Sequence, residues 1–533
     1  MKKIIIVIAA VWMIASSCDE RLENLNKPKK DPEAATAEAL FANATRQMFD
    51  MMVETDVNAN VFRLYAQYWA QTTYPDESQF NMVGRRIPDN FWENGYRDVL
   101  MDLTQAKVTI DETWEALAMD EGVRDNQYAL INILKVYTFA VLTDAFGAVP
   151  FEEALNPDIL SPAYDGGATV YTGIIDMLDN AIDMLNDEAS AFSSRQDLIY
   201  HGDVDQWIKF ANSLKLKLAL TIADVNPTKA QTMIDEAVTG GLFAGNADNA
   251  AITYQPTSPS TNPIWKDLVQ SGRSDYVIAN TIVDKLNNLN DPRLFVYGEP
   301  TAFQYPVEAG TKQDSVLTQS DQLILIYSDV NGEDSIEYVS TPFTIFAADS
   351  AKELSFFSGG VYGTNNTYKR KSHVGDLFHQ PDLEGLVMDY AEVQFMLAEA
   401  KEKGFIFDSG MTAEEHYYEG ITASMRYWNI DETAIADYLT NPDVTYVPAE
   451  WEQKIGEQAW IAFYNRGFEG WSLWRRLDFD GFNAPPSMTL GDIPNRLIFP
   501  IEEYTLNPTH LDEAVIMIGG DDDASVKVFW DVN

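Results

Sequence analysis

WIKFANSLKLKLAL, residues 207–220, sets the fold class. Trp207, Phe210, Ala211, Leu214 and Leu218 recur at three- and four-residue steps and share one face of a helix. Lys209, Asn212, Ser213 and Lys217 fall largely away from that face, so the stretch reads as a helix laid on neighbours with its lysines in water. The same period runs outward in both directions. Upstream, Leu40, Phe41, Ala44, Met48 and Met51 mark one helix from about Glu33, and Phe91, Trp92, Tyr96, Val99, Leu100 and Leu103 mark another. Residues 126–146 carry a further stripe, ended by Gly147 and Pro150. Leu178, Ala181, Ile182 and Leu185 mark the next.

Downstream, LVMDYAEVQFMLAEAKEKG, residues 386–404, is apolar on most sides and reads as a buried helix. Glu392 and Glu399 inside it need partners, because a buried carboxylate is costly alone. EHYYEGITASMRYW and the 451–479 segment continue the helical texture, and VKVFW, residues 526–530, reads as a strand. The helices come in adjacent pairs joined by short breaks. No strict sequence period links them, but stacked tetratricopeptide-like pairs fit the pattern.

Between about residues 245 and 385 the texture changes. Ser, Thr, Pro, Asn and Gly become common, as in ITYQPTSPSTNPIW (252–265) and FFSGGVYGTNNTY (356–368). Residues 276–289 keep a helical period. Asp291-Pro292-Arg293-Leu294 reads as a turn launching a strand. Residues 322–330 and 337–346 read as strands joined by a hairpin-like NGED. This region is expected to be a loop-rich excursion from the helical body. The fold class is therefore mainly α, with an irregular half containing a few short strands.

The chain has 533 residues and a formal charge of −45, from 37 Lys and Arg against 82 Asp and Glu. Such a surface repels phosphate backbones and argues against nucleic acid as a partner. Neutral sugars and cations are not repelled. The first residues, MKKIIIVIAAVWMIASSCDE, have the three parts of a secretory leader. The apolar run is shorter than a bilayer span, and no later run is read as long enough for one. Losing residues 1–17, with Lys2 and Lys3, takes the charge to −47. Cys18 is the single cysteine, so no internal disulfide is available. Small residues before it resemble a bacterial lipobox, although Ala15 stands where Leu is usual. Acylation at Cys18 would fix the chain to a membrane. The expected organisation is a cleaved leader at 1–17, a lipidated tether at 18–32, and one domain at 33–533 with its excursion at about 245–385.

Seven stretches then resemble one family in its own order: LTDAFGAVPFEEAL (142–155), WIKFANSLKLKLAL (207–220), NDPRL (290–294), MDYAEVQFMLAEA (388–400), YYEGITASMRYW (417–428), EQAWIAFYNRGFEGWSLWRR (457–476) and IPNRLIFPIEEYTLN (493–507). They are similar to the SusD/RagB outer-membrane nutrient-binding lipoproteins of Bacteroidetes. The acidic Asp19 and Glu20 after Cys18 resemble the surface-export signal of lipoproteins in those bacteria. The resemblance implies four tetratricopeptide-like helix pairs against a loop-rich half. It implies a SusC-like TonB-dependent barrel as partner, with the lipoprotein as its hinged lid. It also implies capture of oligosaccharides at the cell surface for import, or of peptides in some relatives, without catalysis. Arg475 and Arg476, within one of these motifs, are expected to be structural ion-pair partners.

The five histidines (201, 373, 379, 416 and 510) show no metal-ligand spacing, and no nucleophile elbow or phosphate loop occurs. No metal or cofactor is expected. Asp478–Gly481 and Asp329–Gly332 echo parts of calcium loops without completing one, so a structural calcium ion has no full motif. A surface glycoside hydrolase would need two placed carboxylates, and 82 acids make that untestable from sequence. Asp-Ser pairs at 314–315, 334–335 and 349–350 resemble short O-glycosylation acceptors. Binding is expected from the aromatic side chains Trp69, Tyr74, Phe80, Trp265 and Tyr362, at helix ends and on loops, each of which would serve equally as core. In RLYAQYWAQTTYPDESQFN (63–81) the helical pattern is read through Trp69, with Pro75 as its stop.

Overall fold

Helical hairpins dominate the computed structural model, which describes residues 35–304, 315–319, 322–328, 334–339, 347–349 and 353–532. The leader, Cys18 and the 18–32 tether lie outside the described residues, as does Asp329–Gly332. Helix Ala37–Val53 pairs with a long helical run over 87–113, and Glu121–Phe146 with Gly167–Met184. Val204–Thr221 pairs with Pro227–Gly240, Tyr390–Glu402 with Ala413–Tyr427, and Trp451–Ala462 with Gly467–Leu477. Neighbouring pairs stack on one another, with 204–221 lying against 390–402. The fold is thus mostly helical, with a few short strands.

Local chemistry fixes several boundaries. Thr36, Asp120, Asp203, Asp389 and Thr412 each accept a backbone N–H at a helix start. Gly147 takes φ +87 after Phe146 and ends that helix, as the sequence indicates. Glu121–Phe146 is long and apolar enough to cross a membrane, contrary to the sequence reading. Its apolar window is 89 % buried within the protein, so tertiary packing accounts for the composition.

The excursion is closed at its base. Strand Ala250–Ile252, near its start, pairs antiparallel with Gly385–Met388 at its end. Met388 then passes through Asp389 into the helix, so the helix read from 386 begins with a strand instead. Strand 322–328 pairs with 334–339, a hairpin as read but with its second strand starting at Asp334 rather than 337, while 340–346 lie outside the described residues; 315–319 pairs on its other edge. Ser315 and Ser335 of the acceptor-like pairs fall on these strands, while Asp314 and Ser350 lie outside the described residues. A second sheet has the order 347–349, 353–356, 301–304.

Four sequence readings change here. Residues 63–71 form only a short helix, Phe62–Tyr65, before strand Trp69–Gln71. The chain is pulled out of helix at Gln67, which takes φ +57. Its side-chain oxygen accepts from Thr281 Oγ1 (2.8 Å) and Asn483 N (2.9 Å). Residues 276–278 form a strand, so the helix there begins only at Asn280. The Asp291 turn launches a short helix, Leu294–Tyr297, because Asp291 Oδ1 accepts the Arg293 N–H at 2.9 Å and fixes a helical turn. VKVFW makes turns rather than a strand; among the described residues no strand edge pairs with it, and Trp530 is held by its Nε1–H on Asp144 Oδ1 (2.7 Å) and by the Arg475 guanidinium over its ring.

The largest departure concerns helix 204–221. Asn212 and Ser213 are buried, and Lys217 turns into the protein instead of toward water. Its Nζ lies 3.0 Å from Glu392 Oε1 and also pairs with Glu469. Arg466 joins the cluster through Asp389 Oδ1 (2.9 Å) and Glu392. Glu399 pairs with Arg476. The two helix carboxylates therefore have the partners that burial demands. Arg476 is an ion-pair residue as expected. Arg475 donates instead to the carbonyls of Asp144 and Asn495, each at 2.8 Å, and lies over the Trp471 ring.

Candidate functional site

The short pairing of Trp69–Gln71 with Tyr276–Ile278 builds an open cleft at its end. Gln71 lies opposite Tyr276 in the register. Thr72 N then donates to Asp275 O (2.9 Å), and Thr72 Oγ1 to Ser274 O (2.6 Å), which extends the join. Gln71 also fixes the following turn. Its Nε2 donates to Tyr74 O (3.0 Å) and Glu77 Oε2 (2.6 Å), and its Oε1 accepts from Ser78 Oγ (2.7 Å). Glu77 is buried and pairs with Arg85. Tyr74, at φ +51, is thereby pushed out of the turn and left 66 % exposed.

The cavity beside Tyr74 measures about 170 Å³. Gln71, Tyr74, Arg85, Asp267, Arg273 and Asp275 supply most of its chemistry. Arg273 Nε pairs with Asp275 Oδ2 at 2.6 Å, and Asp267 Oδ2 accepts from Thr55 Oγ1 at 2.5 Å. Burial pushes the Asp267 carboxyl up to about 6, against the Thr55 hydrogen bond, with Asp56 adding to the rise. Behind it, burial and then the Asp267 charge push Glu54 up to about 7. The cleft thus offers the exposed Tyr74 ring beside the buried Tyr276, two guanidinium groups, an amide and carboxylates, a set suited to reading hydroxyls or charged groups. A larger cavity of about 540 Å³, between helix 167–184 and the 222–229 stretch, is lined by Tyr171, Ile175, Ile222, Val225 and Phe529 together with Asp176 and Lys229.

Of the aromatic candidates, only Tyr74 lines this cleft. Trp69 is 1 % exposed. Its Nε1 donates to Tyr464 Oη at 3.0 Å, its ring meets Tyr276, and Arg63 covers it, so no face is left for a ligand. Tyr362 is 2 % exposed and equally closed. Phe80 is half-buried at φ +63 with its ring edge-on to Tyr65. Trp265 is half-buried at the end of Pro263–Trp265, directly before the turn that carries Asp267. Arg85, Asp267 and Arg273 escaped the sequence reading. The polar run QSGRSD at 270–275 was the available signal, but nothing local places it against Tyr74. Asp478, part of a calcium-like echo, serves as a left-handed helix cap at φ +48.

Trp69→Phe is expected to lower stability by roughly 1–2 kcal/mol, through a lost buried hydrogen bond and a small cavity, while leaving ligand affinity unchanged. Urea denaturation and binding on the same preparation check both halves.

The molecule is thus a mainly helical body of stacked hairpins with a polar, aromatic-bearing cleft where the loop-rich half meets it. The chain belongs to the SusD-like family, described as starch-binding and associating with the outer membrane, whose sequence profile matches residues 29–356 and 340–500. A chitin-binding protein of known structure superposes with a TM-score of 0.72 at 22 % identity, covering 93 % of this chain and 100 % of its own. A SusD homologue from Bacteroides uniformis superposes with a TM-score of 0.72 at 24 % identity, over 93 % and 99 % of the two chains. A chitin-binding SusD homologue from Flavobacterium johnsoniae gives 0.70 at 23 % identity, over 92 % and 99 %. None of the curated proteins matches the sequence.

Proposed function

We propose that the protein is a non-enzymatic nutrient-binding lipoprotein of the outer membrane, anchored through acylated Cys18 and exposed at the cell surface. It captures oligosaccharides in the Tyr74 cleft and passes them to a SusC-like TonB-dependent transporter. The observation that carries the ligand class is the exposed Tyr74 ring beside Gln71, Arg85, Asp267 and Arg273. An aromatic face covers the apolar side of a sugar ring, and the polar groups around it read the hydroxyls. The starch-binding description of the family and the chitin-binding relatives support the same class. Sugars are well hydrated, so affinity in the micromolar to millimolar range, about −8 to −4 kcal/mol, is expected for the isolated protein.

Asp56, Asp267 and Asp275 at the same cleft favour a second reading, a basic peptide delivered to the same kind of barrel. Affinity gels with plant, host and microbial glycans, run beside basic peptides and assayed for released sugar, separate the readings. Retardation by one glycan without release is the expected result, and Tyr74→Ala should weaken it by about tenfold, the loss of one stacking contact. Retention of peptides alone moves the second reading forward. Released sugar overturns the non-enzymatic one and brings the glycoside hydrolase reading back.

A further inference from the structure

Glu299 and the 3-10 turn Asp376–His379 are far apart in the chain but meet on one surface. A short antiparallel join brings them together. Gly298 bridges Val374, Glu299 N donates to His373 O at 2.9 Å, and Gly375 N donates to Tyr297 O at 3.0 Å. Gly375 permits the approach, because a Cβ there would lie 2.0 Å from the Val296 carbonyl oxygen. The chain turns immediately afterwards, placing Asp376 and His379 beside Glu299. One ligand atom from each of the three lies within 4.8 Å of the others.

Hydrogen bonding fixes the imidazoles. His379 Nδ1 lies 3.2 Å from the Gly375 carbonyl oxygen. A carbonyl only accepts, so Nδ1 carries the proton and Nε2 keeps its lone pair. The adjoining His373 is the mirror case. Its Nε2 lies 3.0 Å from Tyr368 O, which leaves Nδ1 as an acceptor 3.9 Å from Glu299 Oε2. Acceptors therefore converge.

We propose that Glu299, Asp376 and His379 bind a first-row divalent cation of the zinc type, which clamps residues 297–299 to 373–379. Mixed imidazole and carboxylate ligands suit zinc, whereas calcium takes oxygen ligands. Bonds of about 2.1 Å place neighbouring ligand atoms roughly 3–4 Å apart, so the side chains need close by only about 1 Å. The Gly375 carbonyl is the outer-sphere partner that orients a ligating histidine. The clamp has a position in the fold. Glu299 stands just before strand Thr301–Gln304, and the Asp376–His379 turn packs against the 263–270 segment that carries Trp265 and Asp267. Sequence spacing alone concealed the group, since its members come from two separate stretches.

The test is a Zn²⁺ titration of the untagged full chain by calorimetry, in competition with a zinc indicator. Amide hydrogen exchange with and without Zn²⁺ gives a second readout. One ion per chain is expected. His379→Ala, Glu299→Gln and the exposed Asp376→Asn should each weaken it by at least about tenfold. His510→Ala, which removes a half-buried histidine paired with Glu513, should leave it unchanged. Zinc should slow exchange at 297–299 and 373–379 in the parent and not in His379→Ala. Equal binding by the parent and all three site variants, or equal weakening by His510→Ala, overturns the proposal and assigns the binding to the acidic surface.

Discussion

Arg466→Ala is expected to destabilise the protein by about 3–5 kcal/mol, the usual effect of removing one member of a buried ion cluster. Arg466 reaches Asp389 Oδ1 at 2.9 Å and also pairs with Glu392, while Lys217 serves Glu392 and Glu469. Without the guanidinium, three carboxylates face one ammonium in a water-poor interior. The cluster also ties helix 390–402 to 204–221 and 467–477, so the loss falls on the stacking of the hairpins. Burial alone would raise Glu392, but Lys217 and Arg466 outweigh it and hold its carboxyl below the ordinary range. Its contribution is therefore complete above about pH 4.5 and is lost as pH falls through the folded value. Urea denaturation of Arg466→Ala beside Arg466→Met with Asp389→Asn and Glu392→Gln checks the mechanism. The triple variant should recover much of the loss, because its neutralised partners no longer need a cation. An Arg466→Ala protein within about 1 kcal/mol of the parent would show that the cluster is not the anchor described.

Glu54→Gln is expected to stabilise the protein above neutral pH by as much as about 3 kcal/mol, and to have little effect near pH 4. Glu54 is held at about 7 by burial and by Asp267, against an ordinary value of 4.5. Between those values the folded state holds a proton that the unfolded state has released. Stability therefore falls as pH rises from 4.5 to 7, and the full penalty remains above 7. Glutamine keeps the side-chain oxygen that accepts the Thr55 N–H (3.2 Å) and Asp56 N–H (3.3 Å), and it never ionises. Denaturation of parent and variant at matched pH gives the difference directly, so other titrating groups cancel to first order. A difference that does not grow between pH 5 and pH 8 removes Glu54 as its source.

Several parts of this fold were legible because they depend on neighbours close in sequence. The stripe at Leu40, Phe41, Ala44, Met48 and Met51 is a helix face, and Gly147 ends its helix for a local reason. Glu392 and Glu399 were readable as buried carboxylates because the residues around them are apolar on nearly every side. Lys217 was not readable in the same way. Its own helix gives it an outward position, and only the approach of 390–402 turns that position inward. Trp69 failed for a related reason. As an aromatic at the end of a helical pattern, just before a polar loop, it could face either way, while the strand at 276–278 and Tyr464 cover it completely.

The sequence by itself determined the helical hairpins, the family and the polar, aromatic character of the excursion, since period, caps and motifs are properties of contiguous residues. Which aromatic stays in the open was decided only by tertiary structure. Tyr74 is exposed because Gln71 holds the turn from beneath, and Arg85, Asp267 and Arg273 reach the same cleft from separate segments. The same holds for Glu299, Asp376 and His379, which a backbone join brings together. Side chains from distant segments meet only once the intervening chain has folded, and local propensity carries no record of that meeting.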